Sequence, residues 1–336
     1  MKATYQLYTL KFKTPGGTSR GVLTTKDTYI LEITDGHRKG IGECGLFRGL
    51  SCDDVPDYEQ RLDWLCENID QDRTLLQNAL KDYPSIWIGY EQAMQNLEYG
   101  GTLYFPSEFT QGEASITING LIWMGDTEYM KTQIEDKLKL GFSCIKLKIG
   151  IRWEEEKAIL KQLRQLFPKQ DLELRVDANG AFSFEDAQRV LEQLAALDIH
   201  SIEQPIKAGQ VEHMQNLCLN TPTPIALDEE LIGINNTEAK QQLIETIKPQ
   251  YIILKPSLVG GFSGTDEWIS IVEQNGSGWW ITSALESNIG LNAIAQYTYI
   301  KNNKMPQGLG TGGLFTNNFD SFLILERDKM WFTKNT

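Results

Sequence analysis

Charged residues recur at a near-constant interval through the second half of this chain, each at the polar end of a short apolar run. Lys146 and Lys148 close CIKLKIG, Asp177 closes LRVDA, Glu203 lies in SIEQP, Asp228 in IALDEE and Lys255 in YIILKPS. From Lys148 onward the intervals are 25 to 29 residues, the length of one strand plus one helix. A chain that alternates strand and helix builds a parallel sheet. If that sheet closes into a barrel, the strand ends converge on one mouth, where active sites lie. Lysines facing three carboxylates around one mouth form a reactive set rather than a core.

The rhythm extends through residues 113–319. ASITINGLIW reads as the first strand, and the helix from Asp126 carries Met130, Ile134 and Leu138 on one face. After CIKLKI comes a helix with Ile159, Leu163, Leu166 and Phe167 inward. After ELRVDA, Ser183 to Asp186 has the form of a capping box, and Ala187, Val190, Leu191, Leu194 and Leu197 follow at helical spacing. SIEQP, PIALDEE, YIILKPS and GWWITSALE are strands four to seven, LNAIAQYTYI is a helix, and QGLGTGG stands at the eighth position. The fold class expected is α/β, a TIM-type (β/α)7β barrel. An open doubly wound sheet would want a glycine fingerprint in its first turn, which this module lacks.

Residues 1–112 lack that rhythm and read as an α+β capping domain. They begin with strand-like alternation, a turn at Pro15-Gly16-Gly17, and a polar loop over 18–27. Two further strands follow, with Asp35-Gly36 as their hairpin turn. A second loop follows at 45–52, then helical patterns near 56–69 and 83–98. The two loops are expected to serve as lids. The tail, 320–336, contains a strand-like run expected to pack back on the capping domain.

A net charge of −13 opposes binding to nucleic acid or to anionic membranes, both of which want a basic patch. Five cysteines, odd in number and without close metal-ligand spacing, point to a reduced cytoplasmic setting. The first residues alternate like a strand rather than forming an apolar leader, and no run is long enough to span a membrane. The expected partner is a small-molecule carboxylate; oligomeric state is not set by the sequence.

Three carboxylates converging on one mouth repel one another and want a cation. Oxygen donors suit a hard ion such as Mg²⁺, with Mn²⁺ a possible substitute. A solvated or ion-paired role explains any one of these acids equally well, but explains three in register poorly. Lys146 and Lys148 are two apart on a strand and point to the same side. Paired ammonium groups lower one another's proton affinity, which lets one act as a base near neutral pH. A lysine at the end of a strand, such as Lys255, is often only a surface residue. A metal flanked by amines on both sides suits proton removal next to a carboxylate. His37, His200 and His213 are scattered, and Cys144 has no partner base, so structural roles fit these four better. Ser283 and Glu286 end the seventh strand and line the mouth or prepare a helix N-terminus at Ser287.

The K-x-K pair, Asp177-Ala178-Asn179, Glu203-Gln204-Pro205, Asp228-Glu229 and the late Leu254-Lys255-Pro256 resemble the enolase superfamily in its muconate-lactonizing-enzyme subgroup. Within the subgroup, Arg175 to Gly180, SALESNIGLNAIAQ and GLGTGGLF are similar to the o-succinylbenzoate synthases of menaquinone biosynthesis. Use of a lysine base with Mg²⁺ to stabilise an enediolate is a general property of the superfamily, not a result of the spacing. The resemblance implies that Asp177, Glu203 and Asp228 bind Mg²⁺. It implies that Lys148 abstracts the α-proton and protonates the leaving hydroxyl, Lys255 faces it across the ring, and Lys146 tunes Lys148. Arg175 and Asn179 would support these groups from behind. Phe47 and Arg48 of the second lid loop, with Ser283 and Gly310, would meet the substrate. The implied activity is a metal-dependent carbon–oxygen lyase. Two alternatives stand: an N-acylamino acid racemase or dipeptide epimerase, and a barrel that only binds its ligand. Dipeptide epimerases of the subgroup carry D-x-D where this chain has Gly310-Thr311-Gly312.

Overall fold

The computed structural model describes residues 1–18 and 21–333. Three antiparallel strands begin the chain: β1 (Lys2–Thr18), β2 (Gly21–Thr34) and β3 (Lys39–Cys44). Helices α1 (Tyr58–Glu67), α2 (Arg73–Leu80), α3 (Pro84–Tyr99) and the short α4 (Glu108–Gln111) follow. α3 presses so closely on β3 that a Cβ on Gly42 would fall 2.0 Å from the Gly89 carbonyl oxygen. Only glycine permits that approach.

Next come β4 (Ser115–Thr117), β5 (Gly120–Ile122), α5 (Thr127–Lys139), β6 (Cys144–Lys148), α6 (Trp153–Leu166), β7 (Glu173–Asp177), α7 (Phe184–Ala195), β8 (Ser201–Glu203) and α8 (Val211–Asn220). The alternation continues with β9 (Ile225–Leu227), α9 (Thr237–Ile247), β10 (Tyr251–Leu254), α10 (Gly261–Gln274), β11 (Gly278–Ile281) and α11 (Asn288–Ile300). The chain ends in the hairpin β12 (Leu323–Glu326) and β13 (Lys329–Phe332). Strands β5 to β11 form one parallel sheet in chain order. Its edges meet through Gln307 and Gly308. Gln307 accepts from Asn119 N (2.9 Å) and donates to Thr117 O (2.8 Å), while Gly308 donates to Ile281 O (2.8 Å) and accepts from Ser283 N (3.0 Å). These residues are the eighth stave of the expected (β/α)7β barrel.

Local chemistry explains the helices. The Ser183 side chain accepts from Asp186 N to start α7, and Ala187, Val190, Leu191 and Leu194 are buried along one face. Each large apolar side chain so buried is worth about 1.5–3 kcal/mol, and Leu194→Ala would cost about 2–5 kcal/mol. On α6 the inward face is Ile159, Leu160 and Leu163, whereas Leu166, expected inward, is exposed at the last position of the helix. Among the described residues no helix is long and apolar enough to cross a membrane, and all five cysteines are free thiols.

Three expectations change. The turn at Pro15-Gly16-Gly17 is a break in the ladder of β1, which pairs Lys11 with Thr25 and then Gly16 with Leu23. Residues 12 and 13 bond instead with 314 and 315, and Pro15 has no N–H to offer. Of the loop expected at 18–27, Thr18 ends β1 and the chain is strand again from Gly21 onward, while residues 19 and 20 lie outside the described residues. Finally, ASITINGLIW is two strands. β4 pairs with β13 of the tail and β5 enters the barrel. The tail thus pairs with β4, and its Phe332 also touches Phe109 of α4, within residues 1–112.

Candidate active site

Strand register assembles the mouth. Lys148 is level with Asp177, and Asp177 with Glu203, on adjacent strands. Asp228 and Lys255 follow the last residues of β9 and β10. Alternation sends these side chains to the inner face, where the sheet's curl brings them together. Lys146 Nζ lies 2.7 Å from Glu203 Oε2 and 3.6 Å from Asp177 Oδ2. Lys148 Nζ donates to Asp177 Oδ2 (3.0 Å) and Asn179 Oδ1 (2.6 Å). Lys255 Nζ contacts Asp228 Oδ2 directly and stands 3.8 Å from Glu203 Oε1. Asn179 also donates its backbone N–H to Asp177 Oδ1 (3.1 Å) and its amide to Glu229 Oε1 (3.0 Å).

The electrostatics follow from burial plus alternating charge. Burial raises the carboxyl of Asp177, but Lys148, Lys146 and Lys255 outweigh that and hold it well below the usual range. Asp228 goes the other way. Burial raises it, Lys255 opposes, and the negative charges of Glu229, Glu203 and Asp177 push it further up. Burial lowers Lys146, yet Glu203 and Asp177 reverse this and leave it above the ordinary lysine value. Lys255 is raised for the same reason, by Asp228 and Glu203 against burial. The charges that act most strongly on Lys146 are the carboxylates of Glu203 and Asp177.

Among the described residues no three acidic, histidine or cysteine side chains stand together as a ready metal cage. Lys146 and Lys255 stand between the carboxylates instead. The donors nonetheless suit a hard cation in kind. All three carboxylates are buried, and Glu203 Oε1 has no hydrogen-bond donor.

Over this cluster opens a cavity of about 730 Å³, its mouth included. Lys146, Lys148, Asp177, Asn179 and Lys255 line one wall, and Phe47, Ser283 and Gly310 line other parts. Glu203 and Asp228 lie beneath. Arg48 is not brought in; it pairs with Asp54 at 2.7 Å outside the cavity. Arg175 forms a floor, its Nε on Glu173 Oε1 (2.7 Å), its Nη1 on Pro306 O (2.9 Å) and its guanidinium 4.1 Å from the Trp280 ring centroid. Ser287 caps α11. The sequence reading missed Asn119, Trp123, Leu50, Thr282 and Thr311, which also line the cavity. Strand alternation points Asn119 and Leu121 to the inside, but nothing in their residue type announces it.

Residues 129–319 match the family described as enolase C-terminal domain-like. This chain is a member of the enolase superfamily. An o-succinylbenzoate synthase of Desulfotalea psychrophila is 44% identical over 97% of both chains. The solved structure of MenC from that organism superposes with a TM-score of 0.88 at 40% identity, covering 98% of this chain and 99% of that one. An o-succinylbenzoate synthase from Thermosynechococcus elongatus, complexed with Mg, shares the superfamily fold at a TM-score of 0.75 and 22% identity, covering 92% of each chain.

Proposed function

We propose that this enzyme is an o-succinylbenzoate synthase. It is a lyase that dehydrates 2-succinyl-6-hydroxy-2,4-cyclohexadiene-1-carboxylate in menaquinone biosynthesis, in the cytoplasm. The observation that carries the reading is a cavity whose charged wall curves through β6 to β10, with Lys148 at one end, Lys255 at the other and three buried carboxylates between them. The two lysines project from β6 and from just after β10, four strands apart in an eight-stave ring, so they approach a flat ring from its two faces.

Lys148, entering as the free amine, takes the proton from the ring carbon that bears the carboxylate. Asp177 and Asn179 hold its nitrogen in place. The same nitrogen returns the proton to the departing hydroxyl, water leaves from the same face, and the ring becomes aromatic. Lys255 places positive charge against the opposite face, and Lys146 offsets Asp177 and Glu203. Asp177, Glu203 and Asp228 would hold Mg²⁺, or Mn²⁺ in its place, in competition with Lys146 and Lys255. When bound, that ion supplies charge opposite the substrate carboxylate as its α-proton leaves. Phe47 and Leu50 exclude water from above.

The test is the loss of cyclohexadiene absorbance on mixing protein with this substrate and Mg²⁺, then with EDTA. Rapid, chelator-sensitive loss is expected; no loss with metal bound overturns the reading. The facing lysines also suit an N-acylamino acid racemase or dipeptide epimerase, which would place solvent deuterium on the α-carbon. Against a free ammonium substrate, the Gly310 to Gly312 wall offers no acid. A barrel that only binds would retain its ligand without metal.

A further inference from the structure

Lys26 is 6% exposed, and its Nζ has no hydrogen-bond partner. It lies on β2 two residues before Thr28, so the two side chains leave the strand on the same side. Thr28 donates to Glu43 Oε1 at 2.8 Å. Burial lowers the proton affinity of Lys26, and the charges that oppose this are Glu43 of β3, Glu286 between β11 and α11, and its neighbour Asp27. A buried ammonium is kept only where surrounding charge compensates it.

Both buried glutamates grip the barrel mouth. Glu43 accepts from Ser287 N (2.9 Å), Gly290 N (2.9 Å) and the Ser287 hydroxyl. Glu286 accepts from Ser257 Oγ (2.6 Å) and Ser283 Oγ (2.5 Å). Ser257 is two residues beyond Lys255, and Ser283 lines the cavity and accepts from Thr311 Oγ1 at 2.8 Å. The chain after β3 closes on this group. A Cβ on Gly45 would stand 2.8 Å from Ser257 Oγ.

We propose that Lys26 is a positioning residue. Its buried ammonium neutralises the Glu43–Glu286 pair, so that the N-terminal sheet holds in register the two segments carrying Lys255 and Ser283. Its kinetic consequence rests on the lyase reading; its structural consequence does not. Without the ammonium, two buried carboxylates face each other, and one must take up a proton or move apart. Glu286→Gln would relieve that conflict while keeping an amide against both serines.

The experiment compares wild type, Lys26→Met, Glu286→Gln and the double variant by lyase kinetics and by amide hydrogen exchange of β2 and of residues 282–290. Lys26→Met is expected to lower kcat/KM by about tenfold and to speed exchange in both segments, with an unchanged far-UV spectrum. Glu286→Gln is expected to have a smaller effect alone, and to restore most of the loss in the double variant. Wild-type kcat/KM and exchange in Lys26→Met overturn the proposal, as do losses that simply add in the double variant. A merely structural lysine would lower thermal stability in every variant without rescue of kcat/KM. If wild type shows no turnover, the lyase reading fails separately, and exchange alone decides: faster exchange in Lys26→Met, reversed in the double variant, supports the lock.

Discussion

The two walls of the cavity handle polar atoms differently. On the wall built by β6 to β10, lysines and carboxylates interlock, and Glu203 Oε1 is buried without a hydrogen-bond donor. On the wall built by β5, β11 and the closing stave, the polar groups are neutral. Two of them, Asn119 Oδ1 and Thr282 Oγ1, are buried without a partner. A buried unsatisfied group costs about 1–3 kcal/mol. One wall is therefore organised before any ligand arrives, and the other gains most when one does. On the proposed function, the first carries the chemistry and the second the selection.

The largest expected effect lies on the charged wall. Lys148→Ala should lower kcat by about 10³-fold, within the range of a lost general base, with circular dichroism and melting temperature near wild type. Near-normal turnover would sink the assignment of chemistry to this wall. Asp228→Asn should raise the Mg²⁺ concentration giving half-maximal activity by about tenfold or more. An unchanged response to chelator would count against its role as a ligand.

On the neutral wall, Thr282→Val should raise KM by about three- to tenfold with kcat almost unchanged, the mark of a binding contact. A fall in kcat with KM constant would erase the distinction between the walls. A control outside both is Glu91, whose burial pushes its carboxyl up to about 7 although Arg73 and the N–H of Phe262 bond to it. Its proton is held more tightly folded than unfolded. The stability it contributes is full below the unfolded value, about 4.5, and is lost as pH rises through about 7. Glu91→Gln should flatten the melting temperature across that window; an unaltered pH slope would refute the burial argument. Smallest of all, Arg48→Ala should leave kcat/KM within about twofold, since Arg48 pairs with Asp54 away from the cavity. A larger loss would bring this loop into the site.

The same contrast explains what could be read from sequence. Lys146, Lys148, Asp177, Glu203, Asp228 and Lys255 stood out because charge at the end of an apolar strand needs a reason, and the barrel followed from their interval. Nothing comparable marks Thr282 or Asn119, whose residue types occur anywhere on a surface. The β1–β2 hairpin was misread because Pro15 and paired glycines signal a turn locally, whereas pairing with residues 314 and 315 is set hundreds of residues away. Lys26 was invisible for the opposite reason. In a polar, glycine-containing stretch a lysine looks solvated, and only the packed Glu43 and Glu286 reveal it as buried.

The barrel closes through Gln307 and Gly308 alone, two bridged residues where every other stave is a strand of three to five. This seam borders the neutral wall and leads directly into Gly310 and Thr311. Substitutions there disturb few ladder bonds, while those on the charged wall break an interlocked lattice. Descendants of such a chain can change what they accept at the seam while inheriting the reaction intact, so novelty in substrate and conservatism in chemistry are apportioned to different staves of one ring.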